Sequence, residues 1–283
     1  MDGWIDEWWL RLLGGLIGSG LAAVAAYRSR SLSGSGAWSA VVMGTGFVTL
    51  GEPVWFGCLI AFFVSSTIWS KWKKRHRAKA AAEANYEKTG RRDAGQVWAN
   101  GGVGLLLCAA NAVLPDTGWL FAYIGVMAAV NADTWATEIG ALSKTAPRSI
   151  TSGKQVAPGT SGAITTLGSS AALAGAVCIG IVAALLVLPQ QLAAADSLGG
   201  AATLIVVAAV AGLAGCFADS LLGATGQAMY RCRVCGSETE RAVHCGAAAE
   251  RVRGFAFLNN DRVNLLSSLL AGIIGWALGS LLM

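Results

Sequence analysis

Twenty of the 21 Lys and Arg residues of this chain fall in four loops, 28–35, 71–95, 143–159 and 230–262, and the stretches between them are long and apolar. A spanning helix needs about 20 mostly apolar residues. Eight runs meet or approach that length: 8–27, 36–51, 53–70, 96–114, 118–142, 160–188, 199–229 and 263–282. The basic loops separate every second pair of runs. The alternate side carries no Lys or Arg and holds Asp2, Asp6, Glu7, Glu52, Asp116 and Asp196. Lys and Arg mark cytoplasmic loops. The pattern therefore predicts an all-α polytopic membrane bundle of seven or eight helices. Both termini should lie outside and every long loop inside, as in a bacterial cytoplasmic membrane. The run 36–51 is short and rich in Gly and Ser, so its full crossing is left open. The sixth and seventh runs exceed a membrane thickness and should tilt, bend or project into water.

Composition agrees. Apolar residues make up 54% and charged residues 13% of the chain, against about 25% charged in soluble domains. A soluble domain of this size could not cover so much apolar surface, and disordered chains are poor in it. Of seven cysteines, Cys58, Cys108, Cys178 and Cys216 sit in apolar runs, which excludes a secreted disulfide scaffold. The N-terminus has no basic leader region, so no cleaved signal peptide is expected. The chain reads as one transmembrane domain, 1–283, with no separate soluble domain. Its extramembrane parts are the loops 71–95, 143–159 and 230–262.

Three acids, Asp133, Glu138 and Asp219, lie inside apolar runs. A charge there costs at least ~2.5–3.5 kcal/mol on insertion scales, so such a residue is a functional candidate by default. All three fall in the last third of a run heading for the basic side. Asp261 opens the last run within Asn259-Asn260-Asp261-Arg262-Val263-Asn264. Asp133, Asp219 and Asp261, with Glu138, form a candidate hard-cation set, because Mg2+ takes oxygen ligands from few carboxylates and completes its shell with phosphates. Asp133 and Glu138 are about 140° apart on a regular helix. Either that helix breaks or the two acids have different roles. In the seventh run Gly212, Gly215, Asp219, Gly223 and Gly226 share one face. Such a stripe suits close helix packing or a ligand beside Asp219, and packing is favoured.

The loop 143–159 resembles a phosphate site. Gly159, Thr160, Ser161 and Gly162 lead into a long helix whose free N–H groups would attract an anion. Arg148 and Lys154 are nearby, and Arg91 and Arg92 stand at the start of the fourth run, before a polar track through Gln96 and Asn100. The Gly153-Lys154 pair lacks the spacing of a P-loop. Loop 71–95, which includes His76, reads mainly as a topology signal or anionic-lipid contact. No nucleic-acid fold accompanies it, so nucleic acid is not an expected partner. Cys232, Cys235, His244 and Cys245 in loop 230–262 could hold a structural Zn2+, since a reducing interior disfavours a disulfide.

Asn131-Ala-Asp133-Thr-Trp-Ala-Thr-Glu138-Ile-Gly, Val156-Ala-Pro-Gly159-Thr160-Ser-Gly162, Ala218-Asp219-Ser-Leu-Leu-Gly-Ala-Thr-Gly-Gln227 and Asn259-Asn260-Asp261-Arg-Val-Asn264 resemble the motifs of an integral membrane family. That family includes the plastid phytyl-phosphate kinase of the vitamin E pathway and an animal transmembrane protein. The resemblance covers roughly residues 10–275. It implies transfer of a phosphoryl group, from CTP in the plant case, to a prenyl or phytyl-like monophosphate with Mg2+ present. It adds Asn131, Asn260 and Asn264 to the nucleotide and phosphate group, and gives Asp133, Asp219 and Lys154 catalytic roles. The Cys/His segment belongs to only some members. Expected partners are a nucleoside triphosphate, a lipid phosphate and membrane lipids, with self-association left open. Two rivals use the same residues. One is an ion- or proton-coupled transporter, and the other is a CTP-dependent cytidylyltransferase making a CDP-lipid.

Overall fold

A computed structural model of the chain describes residues 2–72, 90–191 and 197–282. Most of the basic loop 71–95, including His76, lies outside them, as does Asp196. Eight helices form among the described residues: α1 (Asp2–Arg28), α2 (Gly34–Leu50), α3 (Pro53–Trp72), α4 (Ala94–Val113), α5 (Thr117–Gly140), α6 (Thr166–Gln191), α7 (Ser197–Thr225) and α8 (Asn260–Leu282). Each corresponds to one apolar run of the sequence. Local chemistry sets their starts. Ser33 caps α2, Asp116 caps α5, and Asp93 with Gln96 forms a reciprocal capping box at α4, satisfying N–H groups that no carbonyl of the helix can reach.

Five helical segments are long and apolar enough to cross a membrane: Trp8–Arg28, Pro53–Trp72, Thr166–Val187, Gly199–Thr225 and Asn260–Leu282. The shortfall in α5 has a physical cause. α5 is the central helix, packed against α3, α4, α6, α7 and α8, and every side chain from Phe121 to Ala132 is buried. A helix wrapped by protein needs no lipid-facing apolar surface, so it can carry Asn131, Asp133 and Glu138. Close approach around it uses small residues: a Cβ on Gly275 would lie 2.5 Å from the Phe121 carbonyl oxygen. The core spreads from this axis through Trp55, Phe47, Met127, Ile179 and Val207.

The chain is not all helix. Seven short strands occupy two of the loops. β1 (Arg148–Ser149) pairs antiparallel with β2 (Ala163–Ile164), closing a small lobe between α5 and α6. β3 (Met229–Arg231), β4 (Glu238–Thr239) and β7 (Glu250–Arg253) form a sheet of order β4-β3-β7, and β5 (Val243–His244) pairs with β6 (Ala247–Ala248). Loop 230–262 is thus a compact β module between α7 and α8. Two boundaries move as a result. The sixth run becomes helical only at Thr166, because residues 160–164 supply the turn and β2. The seventh stops at Thr225, because Met229 already belongs to a strand.

Candidate functional site

The helices alternate in direction, so the C-terminal ends of α3, α5 and α7 and the N-terminal ends of α4, α6 and α8 meet at one end of the bundle. The α1–α2 connection joins them there, through a bridge between Leu32 and Arg92. A polar cavity of about 330 Å3 opens at this end. Asp133, Thr134, Thr137 and Glu138 come from α5, Asp219 and Ser220 from α7, and Asn260 and Asn264 from α8. The turn Gly159–Gly162 forms another wall, and Arg92, Gln96 and Asn100 a third.

Asp133 and Asp219 lie close enough for their like charges to interact, and both are half-buried. Ser267 Oγ donates to Asp219 Oδ2 at 3.1 Å. Asn264 Oδ1 is buried and meets no hydrogen-bond donor among the described residues. A buried carbonyl oxygen without a partner costs free energy, and here it belongs to a residue of the cavity wall. Two carboxylates and an amide oxygen on the walls of one cavity are the kinds of donor that Mg2+ takes. Glu138 has a different setting. Ser70 Oγ of α3 donates to its Oε1 at 2.5 Å, and Arg92 lies near enough to feel its charge. α5 runs unbroken to Gly140, so the two acids of this helix serve different parts of one cavity.

Arg92 is held between the cavity and the rings of Phe62 and Phe63, its guanidinium carbon 5.6 and 5.9 Å from their centroids. Burial pushes its pKa down, and the Glu138 carboxylate opposes that shift. Its neighbour Arg91 points elsewhere, 5.7 Å over the Tyr27 ring, and does not line the cavity. Beside Arg92 an apolar groove runs between α1, α2 and α3, lined by residues such as Ala23, Met43, Phe56, Leu59 and Phe63. Arg92, Gln96 and Asn100 form walls of both the groove and the polar cavity.

The turn 159–162 is shaped by its glycines. Gly159 and Gly162 have φ of +81° and +80°, a region where only Gly is unstrained. Gly162 packs on the last turn of α7, where a Cβ would come within 2.6 Å of the Ser220 carbonyl oxygen. Ser161 Oγ donates to Gln227 Oε1 at 2.9 Å. Arg253 of β7 ties the junction together, donating to the carbonyls of Gly223 (2.8 Å), Ala224 and Ser161 (3.3 Å). Burial lowers the pKa of Arg253, against the pull of Glu238 and Glu240. Among the described residues the Ser161 and Gly162 amides donate to no acceptor.

Several expected site residues lie elsewhere. α6 does not start at this turn, since Thr165 caps it by accepting from the Gly168 amide at 2.9 Å. Lys154 and Arg148 are exposed and line no part of the cavity. The Arg148 guanidinium instead donates to the Gly153 carbonyl at 2.8 Å. Asn131 is fully buried. Its amide donates to the Gly175 carbonyl at 2.7 Å and its Oδ1 accepts from Ser65 at 3.0 Å, so it joins α5 to α6 and α3. Asp261 opens α8 but does not border the cavity. Asn260 and Asn264, four apart, share the inward face, and Asp261 is turned about 100° from Asn260. The Gly stripe of α7 packs: Cβ atoms on Gly212 and Gly215 would lie 2.7 Å from Ala176 Cβ and 2.5 Å from Ala129 Cβ. Glu240, which no pattern in the sequence marks, lines the cavity from the β module.

In that module one ligand atom each from Cys232, Cys235, His244 and Cys245 falls within 4.8 Å of the others. A family profile described as integral membrane protein DUF92 matches residues 17–272. Protein PGR of Arabidopsis thaliana is 30% identical over 280 residues, covering 93% of this chain and 94% of that protein. An uncharacterized membrane protein of Methanocaldococcus jannaschii is 29% identical over 249 residues, covering 88% of this chain and 86% of its own. No solved structure matches the chain.

Proposed function

The chain belongs to the DUF92 integral membrane protein family, and from that premise we propose that it transfers a phosphoryl group from a nucleoside triphosphate to a prenyl-type lipid monophosphate. The observation that carries the reading is the shared wall of Arg92, Gln96 and Asn100 between a carboxylate-lined polar cavity and an apolar groove. A molecule with an anionic head and a hydrocarbon tail fits that junction. Its phosphate would meet Arg92, and its tail would follow the groove toward the lipid.

Asp133, Asp219 and the Asn264 carbonyl would hold Mg2+. When bound, the ion supplies charge neutralisation between the transferring and leaving phosphates. The Ser161 and Gly162 amides would receive nucleotide phosphate oxygens, as a nest of N–H groups does. The acceptor is its own nucleophile, because a phosphate monoester has a second pKa of about 6. Its oxygen forms the new bond to the γ-phosphorus. The bond from that phosphorus to the bridging oxygen breaks, and the nucleoside diphosphate leaves. No protein base is required. Arg92 and the turn 159–162 set the two phosphates in line, which is most of what such a transfer needs. CTP is the expected donor, as the family resemblance implies.

Topology follows the same reading. All eight helices cross, with the cavity end cytoplasmic and the termini outside. Support comes from the short or polar helices themselves. Trp38 of α2 and Leu106 of α4 are 75% and 72% exposed, apolar surface suited to lipid.

The test uses purified protein in detergent with Mg2+, γ-labelled CTP or ATP, and prenyl monophosphates of several lengths. Labelled lipid diphosphate is expected. Release of pyrophosphate with formation of a CDP-lipid would replace the kinase reading with nucleotidyl transfer. Absence of turnover with every pair, together with ion flux in proteoliposomes, would replace it with transport.

A further inference from the structure

The β module between α7 and α8 is too small to hold itself together by burial. Its strands are two to four residues long. Its buried side chains are few, among them Met229, Cys232, Thr239 and Leu258. Units this small need a disulfide, a metal or another staple. All cysteines of the chain are free thiols.

The four candidate ligands come from two turns. In the first, Cys232 to Cys235, the amides of Val234 and Cys235 point at Cys232 Sγ, at 3.4 and 3.5 Å. The turn closes through the Gly236 amide onto the Cys232 carbonyl at 2.9 Å, and Gly236 has φ of +75°. In the second, the β5–β6 hairpin, Cys245 has φ of +52° ahead of Gly246. A non-Gly residue in that region is strained, and such strain collects at functional sites. The conformation brings Cys245 Sγ to 3.3 Å from His244 Nδ1, with Cys235 Sγ 3.5 Å from the same nitrogen. Zn–S bonds of about 2.3 Å arranged as a tetrahedron put sulfur atoms about 3.8 Å apart. The observed set, within 4.8 Å, needs only a small contraction to close on an ion. Three thiols and an imidazole are the donor set of a closed structural zinc site, with no position left for substrate.

Glu240 stands between the two turns, five residues after Cys235 and four before His244. It is half-buried on the wall of the polar cavity, near enough to Asp219 and Arg253 to act on both charges. We propose that Cys232, Cys235, His244 and Cys245 bind one Zn2+ and that this ion fixes Glu240 beside Asp219 as a further carboxylate of the hard-cation site. The second half rests on the proposed function, in which Asp133 and Asp219 hold Mg2+. Zinc takes no part in the chemistry. It fixes both ends of the segment that carries Glu240, and through β7 it also steadies Arg253 against the turn 159–162.

Metal content is measured on full-length protein purified in detergent without added zinc or chelator. Mn2+ binding is followed by electron paramagnetic resonance as a stand-in for Mg2+. One zinc per chain is expected, lost in Cys235→Ser/Cys245→Ser and retained in Glu240→Gln. Both variants should bind Mn2+ about tenfold more weakly than the parent, the scale on which positioning groups act at metal sites. Iron in place of zinc, no metal at all, or a Cys232–Cys235 disulfide would overturn the zinc site. Zinc present in the parent, with Mn2+ affinity unchanged in either variant, would overturn the role given to Glu240. A parent protein that holds zinc but binds no Mn2+ would instead strike at the hard-cation site itself and leave the zinc assignment standing.

Discussion

Gly162→Ala and Gly153→Ala place the same methyl group in the same loop under similar backbone strain. Gly162 has φ of +80° and Gly153 of +66°. An alanine in that region costs on the order of 1–2 kcal/mol. The surroundings differ. A Cβ at Gly153 meets nothing within 4 Å, whereas at Gly162 it runs into Ala224 of α7 and lies 2.6 Å from the Ser220 carbonyl oxygen. These are helix backbone atoms and cannot swing aside. The turn must lift instead, at an overpacking cost of about 1–3 kcal/mol. It would also weaken the bond from Ser161 to Gln227, worth about 0.5–1.5 kcal/mol. Gly162→Ala should therefore disfavour the seated turn by roughly 2.5–6.5 kcal/mol, against about 1–2 kcal/mol for Gly153→Ala. If the turn must seat on α7 for turnover, each 1.4 kcal/mol is tenfold in kcat/KM. Gly162→Ala should then lose at least about sixtyfold and Gly153→Ala no more than about thirtyfold. Limited proteolysis within 143–165 reads the same displacement without any substrate, with faster cleavage expected only for Gly162→Ala. Equal behaviour of the two variants in both assays would refute the reasoning, since only contact with α7 separates them.

Asp133→Asn and Asp219→Asn should each insert normally yet abolish Mg2+-dependent turnover, by about a hundredfold or more on the scale of lost charge stabilisation; measured turnover near the parent level would remove the metal role. Lys154→Ala, Arg148→Ala, Arg91→Ala and Asp261→Ala should each stay within about threefold of the parent in kcat/KM, below the ~1.4 kcal/mol that a tenfold change requires. Arg92→Ala should instead raise the KM for the lipid phosphate at least about tenfold. Asn131→Ala should lower thermal stability by about 1–3 kcal/mol, because the Gly175 carbonyl and the Ser65 hydroxyl each lose their bond to the buried amide. Its KM for nucleotide should be unchanged.

The eight helices were legible because apolar length and charge alternation are properties of whole segments, and both survive errors of a few residues. The depth of Asp133, Glu138 and Asp219 followed from the same ruler, and these three do reach one cavity. Direction was harder to read. Asp261 and Asn260 share a depth, and a one-residue step on a helix turns a side chain by about 100°, so only the asparagine faces inward. Asn131 fails for the same reason, lying two residues from Asp133 and therefore on nearly the opposite side of α5. The basic residues of the third loop failed for another reason. Arg148 sits in a two-residue strand paired with β2, too short to leave a periodic trace.

Glu240 shows where sequence reading stops. Nothing in its neighbours distinguishes it from Glu238 or Glu250, and all three lie in the same loop. What separates them is the path of the chain. Glu238 pairs with Arg231 at 3.1 Å, both side chains largely in solvent, and Glu250 faces Arg233 at 3.9 Å with both well exposed. Exposed pairs of this kind contribute little. Glu240 is turned the other way, under the module and onto the cavity that Asp133 and Asp219 line. Strand alternation alone would return Glu240 to the face of Glu238. Neighbouring side chains of an extended segment point to opposite faces, Thr239 is buried within the module, and the chain leaves β4 directly after it. The turn that ends β4 therefore decides which acid reaches the site. That turn is bounded on both sides by the cysteines and the histidine proposed to hold zinc, so the segment that would bind the ion also carries the one acid of these three that reaches the cavity.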